Sequence, residues 1–436
     1  MDMLTIVALD VLILVFLLMM SVPLPWCFAG ALSFMALVGG ASMKSMMLWG
    51  FNQTIGLVLL GSPLFILAGM LIGASGIARY LLDFVDIFVG RIRGGLGAVA
   101  VFTCGVIGAI SGSGFTGVAA TGPILIPRME AMGYPRGYAT ALVTVSSILG
   151  LLIPPSIVMI FYGWVTETSI LAGFLSTVGP GLMVIVTFCT INFIWARKFD
   201  LKLAEKLPRA EQRAKNAKAT LWVIPALSLP FIILGGIYGG VFTPTEAAAV
   251  GAVVALPIGF FVYKELSGKK LVPLGIETGQ AIGSILTMIF FTLMLSQTYV
   301  LLKVPEALIS IVMGITTDPF YILIMVNLLL FIVGMIVNDI TGMILVAPLL
   351  LPLMKTIGVD PIHFAAIMGV NLAMGGVTPP YASILYLGMR VGKCEFKDIL
   401  GPTMIFLIFG YVPVVFVTTY WPDLSLWLPR MAGLVQ

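Results

Sequence analysis

Two short polar interruptions in an otherwise apolar chain hold the residue types best suited to chemistry. One is Ser111-Gly112-Ser113-Gly114; the other is Asn338-Asp339. Each is followed downstream by a helix-breaking pair, Pro154-Pro155 after the first and Pro379-Pro380 after the second. Paired prolines remove two N–H donors and clash with the preceding turn, so a helix must stop there. Carbonyls before the break lose their partners. In a dry membrane such carbonyls want a positive charge, and a dehydrated Na+, a hard cation that takes oxygen ligands, suits them. A first candidate ion site therefore sets the hydroxyls of Ser111 and Ser113 against the carbonyls of Gly150, Ile153 and Pro155. A second sets Asn338, Asp339 and Thr341 against Gly375, Thr378 and Pro380. A lone Pro-Pro reads more simply as a kink satisfied by neighbouring helices. Two copies, each after a polar tip, favour the ion-site reading.

The same tips suit an anionic ligand. Half-helix N-termini offer a positive dipole, and the Gly-rich run Ser111–Gly117 allows close backbone approach. No Lys or Arg falls in the expected membrane core. A carboxylate would rely on backbone N–H groups, hydroxyls and bound Na+. Ser113, Gly114, Thr116, Asp339 and Thr341 are the candidate substrate-binding residues.

Other polar groups read as structural. Asp339 is the most informative carboxylate, because a charge within an apolar stretch costs ~2.5–3.5 kcal/mol even on a mild insertion scale. It reads as a Na+ ligand or a proton site, and capping of the following half-helix is compatible with either. Asp10 sits near the outer end of a span and reads as a snorkelling or lipid-interface group. Glu246, after Thr243-Pro244-Thr245, reads as a cap. The single histidine, His363, reads as structural rather than as a proton relay. Cys27, Cys104, Cys189 and Cys394 have neither disulfide nor zinc spacing and read as packing residues.

The elements that must position these groups follow from composition. Of 436 residues, 60% are hydrophobic and 10% charged. That excess of apolar surface excludes a soluble globular enzyme, and continuous apolar runs exclude a β-barrel. The expected fold is an all-α polytopic membrane protein. Candidate spans are 4–20, 23–40, 57–77, 137–163, 168–195, 221–238, 246–263, 278–300, 361–388 and 400–421. The stretches 95–127 and 318–353 are too long for one span and break at the two polar tips. They are expected to be re-entrant hairpins with halves of ~12–17 residues, tolerated only where protein or a wet cavity covers the tip. The segments 41–56, 79–94 and 303–316 read as amphipathic connectors. Leu4–Met20 lacks a basic n-region and a cleavage site and is read as a retained span.

Lys and Arg counts orient the chain. Arg197–Lys218 holds eight basic residues against three acidic ones, Asp200, Glu205 and Glu211, and is expected to be cytoplasmic. Counting outward puts Arg79, Arg91, Arg93, Arg128 and Arg136 inside. Lys264, Lys269, Lys270, Arg390, Lys393 and Lys397 fall there too, whereas Lys303 and Lys355 fall outside. Both termini then lie outside. The net charge of +4 implies no nucleic-acid partner.

An internal repeat sharpens this. Shifting the sequence by 225 residues lays Thr116-Gly117 on Thr341-Gly342, Pro123 on Pro348 and Pro127 on Pro352. It also lays Gly150 on Gly375 and Pro154-Pro155 on Pro379-Pro380. The span count enters the two copies from opposite sides. Inverted repeats built from broken helices mark secondary transporters with a midplane site. No Gly-x-x-x-x-Gly-Lys-Ser/Thr motif occurs, so the energy source is expected to be an ion gradient. Dead-end tips argue against a channel, and the lone histidine argues against a membrane enzyme.

Several stretches together resemble a known family. They are Leu67-Ala68-Gly69, Ser75-Gly76-Ile77-Ala78-Arg79, Ser111-Gly112-Ser113, and Gly122-Pro123-Ile124-Leu125-Ile126-Pro127. Further on come Ile153-Pro154-Pro155-Ser156, Phe242-Thr243-Pro244-Thr245-Glu246-Ala247-Ala248, and Asn371-Leu372 before Thr378-Pro379-Pro380. This combination resembles the large, DctM-like membrane subunit of tripartite ATP-independent periplasmic (TRAP) transporters. The resemblance implies an elevator-type fold of the ion-transporter superfamily, resident in the bacterial inner membrane. It implies Na+-coupled uptake of an organic acid handed over by a periplasmic binding protein, beside a small four-helix DctQ-like subunit. By position it implies one sodium site at Ser111, Ser113, Gly150, Ile153 and Pro155. The other falls at Asn338, Asp339, Gly375, Thr378 and Pro380. Scaffold helices would fill 1–94 and 221–316, transport parts 95–195 and 317–436, with a linker at 196–220. Gly114-Phe115-Thr116-Gly117 and Leu151-Leu152 depart from the pattern of many dicarboxylate-type members. Sialic acid, other sugar acids and keto acids therefore stay open beside C4-dicarboxylates. A stand-alone sodium/anion symporter of the same superfamily is the alternative.

Overall fold

A computed structural model describes residues 3–40, 42–89, 92–202, 208–379 and 382–435. Arg91, Glu205 and Pro380 lie outside the described residues. The described chain is mostly helical, with no strand among the described residues. Nine of its helical stretches are long and apolar enough to cross a membrane.

The chain opens with the antiparallel pair α1 (Met3–Met19) and α2 (Leu24–Val38). The connector α3 (Met43–Thr54), the span α4 (Leu57–Ala74) and the amphipathic α5 (Ile77–Val89) follow. The first hairpin is α6 (Gly95–Ser111) and α7 (Gly114–Ala131). A broken helix comes next as α8 (Arg136–Ser147), α9 (Leu149–Leu152) and α10 (Ile157–Val165), then α11 (Ile170–Ser176) and α12 (Val178–Ala196). The second half begins with α13 (Arg209–Tyr238), α14 (Pro244–Pro257) with a π-turn over Ile258–Val262, α15 (Gly268–Leu301) and α16 (Val304–Ile315). Its hairpin is α17 (Pro319–Ile336) and α18 (Asp339–Thr356), and its broken helix is α19 (Pro361–Gly375) and α20 (Ser383–Gly392). The chain closes with α21 (Phe396–Ile405), a π-turn over Phe406–Tyr411, α22 (Val412–Tyr420) and α23 (Asp423–Met431).

Both feet of the first hairpin rest on one segment. Arg93 donates to Phe199 O at 2.7 Å, and Lys202 N–H donates to Met132 O at 3.0 Å. Its tip lies at the far end, where Ser111 is completely buried. The chain therefore goes in and comes back as a helical hairpin whose tip is covered by protein. The basic segments gather at this same end of the molecule. Arg136 donates to Gly392 O at 2.6 Å, Arg128 pairs with Asp86 at 2.7 Å, and Tyr80 stacks on Tyr263 at 4.0 Å between centroids.

Three expectations need correction. Three of the four hairpin halves have 18 residues, just past the expected range, while α6 with 17 lies within it; in α7 the polar end Arg128–Glu130 continues the helix. Helix α13 starts at Arg209 and α15 at Gly268, so much of the basic linker is helical. Charged residues lower hydropathy without breaking a helix. Asp10 is not a lipid-interface group: it is fully buried and accepts a hydrogen bond from Tyr299 Oη at 2.5 Å. Glu246 does close a capping box with Thr243. His363 is buried, its Nε2 2.7 Å from Thr418 O, and the four cysteines are free.

Candidate functional site

The first tip forms because Gly112 takes the left-handed conformation, φ 63°, ending α6, a geometry that favours glycine. Its N–H donates to Gly108 O at 2.7 Å, and Ser113 begins α7. The tip docks on the first helix break. Ile157 N–H donates to Gly112 O at 3.4 Å, and a Cβ added to Gly112 would stand 2.7 Å from Pro155 O. One added to Gly150 would stand 2.8 Å from Ser113 O. Gly150 and Leu151 are followed four residues on by Pro154 and Pro155, so the helical donors for their carbonyls do not exist. Ser113, Gly150 and Pro155 thus converge. Ile153 leaves the helix with extended backbone, its N–H still bonded to Leu149 O at 2.8 Å. Ser111 is beside them, but its hydroxyl donates to Ile107 O at 3.0 Å.

The second tip is built differently. Asn338 caps α18, its Oδ1 accepting from Ile340 N–H at 2.9 Å. Asp339 opens the helix, half-buried. Hairpin and break meet through glycine: a Cβ on Gly334 would stand 3.2 Å from Gly375 Cα. The carbonyls freed at this break are partly taken. Thr378 N–H donates to Gly375 O at 3.0 Å and Ile384 N–H to Gly376 O at 3.1 Å. The Thr378 hydroxyl donates to Met374 O at 2.7 Å. Thr341 is fully buried, and its hydroxyl has no partner among the described residues.

One cavity of about 710 Å3 touches both tips. Ser113, Phe115 and Thr116 line it from the first and Asn338 from the second. Opposite stand α4 (Ile66, Met70) and α15 (Ser284, Met288). Among the expected substrate residues, Ser113 and Thr116 face the cavity. Gly114 is buried against Ile384 and Ser147, Thr341 lies behind the tip, and Asp339 adjoins the lining residue Asn338. No charged side chain lines the cavity among the described residues.

Two features escaped the sequence reading. Ser284 and Met288 of α15 contribute a wall, and nothing in their local pattern marks them. A buried amide network joins three helices: Asn371 Nδ2 donates to Asn327 Oδ1 at 2.6 Å, and Thr419 Oγ1 donates to the same oxygen at 3.1 Å. Asn327, an amide inside an apolar run, carried a signal that it needs a partner at membrane depth.

The family profile described as "Tripartite ATP-independent periplasmic transporter, DctM component" matches residues 11–424. The C4-dicarboxylate TRAP transporter large permease DctM of Pseudomonas aeruginosa is 35% identical, over 93% of this chain and 94% of that one. The sialic acid TRAP transporter large permease SiaM of Vibrio cholerae is 30% identical, over 92% of this chain and 93% of that one. The isethionate permease DctMQ of Oleidesulfovibrio alaskensis is 34% identical over 84% of this chain, which spans only 57% of its length. In fold the chain is similar to the YdaH transporter of Alcanivorax borkumensis. The TM-score is 0.60 at 16% identity, covering 88% of this chain and 89% of that one. These relatives are transport proteins, not enzymes. The profile spans most of the chain, and the Pseudomonas and Vibrio permeases align with it nearly end to end: the chain belongs to the DctM component family of tripartite ATP-independent periplasmic transporters.

Proposed function

We propose that the chain is the membrane translocation subunit of a Na+-coupled importer of small organic acids. The observation that carries this reading is one cavity lined by residues of both hairpin tips. A ligand there touches both tips and the facing helices α4 and α15 at once. The first tip offers an uncapped helix start with the hydroxyls of Ser113 and Thr116, and such a start favours an anion. With no cationic side chain in the lining, positive charge must come from elsewhere, and co-transported Na+ supplies it.

In this reading one Na+ lies among Ser111, Ser113, Gly150, Ile153 and Pro155. Another lies among Asn338, Asp339, Gly375, Thr378 and Pro380. Bound Na+ orders the tips, and the acid docks between them. The transport parts, 95–195 and 317–436, then slide past the scaffold of 1–94 and 221–316 as an elevator. A half-loaded polar tip crosses the apolar barrier poorly, which couples the two fluxes. The protein sits in the bacterial inner membrane with both termini periplasmic. A periplasmic binding protein delivers the acid, and a small DctQ-like subunit stands alongside. The relatives named for C4-dicarboxylates, sialic acid and isethionate make organic anions the class to test.

The test is uptake of labelled organic acids into proteoliposomes, with and without a Na+ gradient, the partner subunit and the binding protein. Uptake that needs all three supports the proposal. Na+-dependent uptake by this chain alone favours a stand-alone symporter. Uptake indifferent to Na+ overturns the sodium sites.

A further inference from the structure

We infer that the cavity takes an acid with one carboxylate and an apolar body, not a dicarboxylate or a polyhydroxylated sugar acid. This rests on the transport reading and narrows its substrate. Volume does not decide the matter, since about 710 Å3 holds any small organic acid. Polarity and charge do.

The two tips differ in what they offer a carboxylate. Ser113 stands at the start of α7 without capping it, so the first-turn N–H groups stay open to an anion. Neither the Ser113 nor the Thr116 hydroxyl has a hydrogen-bond partner among the described residues. The second tip is closed. Asn338 spends its oxygen on Ile340 N–H, and Asp339, next in the chain though outside the lining, puts a carboxylate close to this end. One end attracts a carboxylate and the other repels one. A Na+ held by Asp339 neutralises that end without leaving net positive charge for a second carboxylate.

Between the tips the wall is apolar. Ile66, Met70, Phe115, Ile285, Met288 and Leu387 dominate it, and only four polar side chains appear among the described lining residues. A second carboxylate, or the hydroxyls of a sugar acid, would shed water there with too few donors in return. A branched or aromatic body instead removes apolar surface from water. Phe115 and Met288 are then specificity-determining residues.

The test is thermal stabilisation of the purified full chain, in saturating Na+, by α-ketoisocaproate, succinate and N-acetylneuraminate. The expected result is saturable stabilisation by α-ketoisocaproate, with the other two weaker by roughly tenfold or more. Phe115→Asn and Met288→Asn should each weaken the α-ketoisocaproate response by roughly tenfold. Phe115→Leu, which keeps the wall apolar, should retain it. Equal or tighter binding of succinate or N-acetylneuraminate overturns the inference. So does the absence of any response to all three. Na+-driven uptake, measured separately in proteoliposomes, separates the two claims. Uptake of succinate but not α-ketoisocaproate sinks this inference and leaves the transport reading standing.

Discussion

Gly334 of the second hairpin lies backbone to backbone against Gly375 at the second helix break, just as Gly108 of the first hairpin lies against Gly150. Each pair joins a hairpin to the break behind it with no side chain between. Even one methyl has nowhere to go, since its nearest neighbours are main-chain atoms. Overpacking a tight interior costs about 1–3 kcal/mol. Gly375→Val and Gly150→Val should each lower the thermal unfolding temperature and abolish uptake. Gly279→Ala, at an open position on α15, should leave both unchanged.

The buried Asp10–Tyr299 pair ties α1 to α15. Tyr299 donates to Asp10 Oδ2, and Oδ1 has no partner among the described residues, so Tyr299→Phe leaves both carboxyl oxygens unpaired. A stranded buried polar group costs about 1–3 kcal/mol. Tyr299→Phe should therefore destabilise the protein more than Asp10→Leu/Tyr299→Phe together. Thermal unfolding of the two singles and the double gives the coupling. A strictly additive result would show that the pair does not hold the helices together.

The proposed ion sites predict a change in sodium dependence rather than in folding. Asp339→Asn keeps shape and removes charge. It should raise the Na+ concentration for half-maximal uptake by roughly tenfold with little change in unfolding temperature. Ser111→Ala should act in the same direction through the other site. Unaltered Na+ dependence in both variants would remove these residues from the coupling mechanism.

Arg128 reaches from the foot of the first hairpin to Asp86 at 2.7 Å and Asp83 at 3.7 Å on α5. All three side chains retain some exposure. Pairs of this kind contribute about 0.2–1 kcal/mol and weaken with salt. Arg128→Met should barely move the unfolding temperature, and raising salt should shrink the difference further.

Hairpins, breaks and connectors were legible because Gly, Pro and polar residues interrupt apolar runs, and the repeat confirmed the register. The Gly108–Gly334 equivalence was not, because the two fall one residue out of the 225 shift that aligns Gly150 with Gly375. Helix starts such as Arg209 and Gly268 were missed because hydropathy reports burial in lipid, not helicity. Asp10 was misplaced for another reason. Its partner lies 289 residues away, and no local pattern in α1 points to Tyr299. The cavity's polar face was readable at Ser113 and Thr116. Its apolar face depends on which sides of α4 and α15 turn inward, which packing alone decides.

Helix α15 runs for 34 residues, about 51 Å at 1.5 Å per residue. A hydrocarbon layer is about 30 Å thick. Even tilted by 40°, near the upper limit for membrane helices, the helix would still rise about 39 Å. Roughly two turns must therefore stand among the lipid headgroups. The end that carries Lys269, Lys270 and Glu277 is the one suited to water. Leu274 lies in that protruding stretch and also lines the cavity. The cavity wall contributed by α15 therefore extends, through Leu274, toward the end of the helix that carries its charged residues.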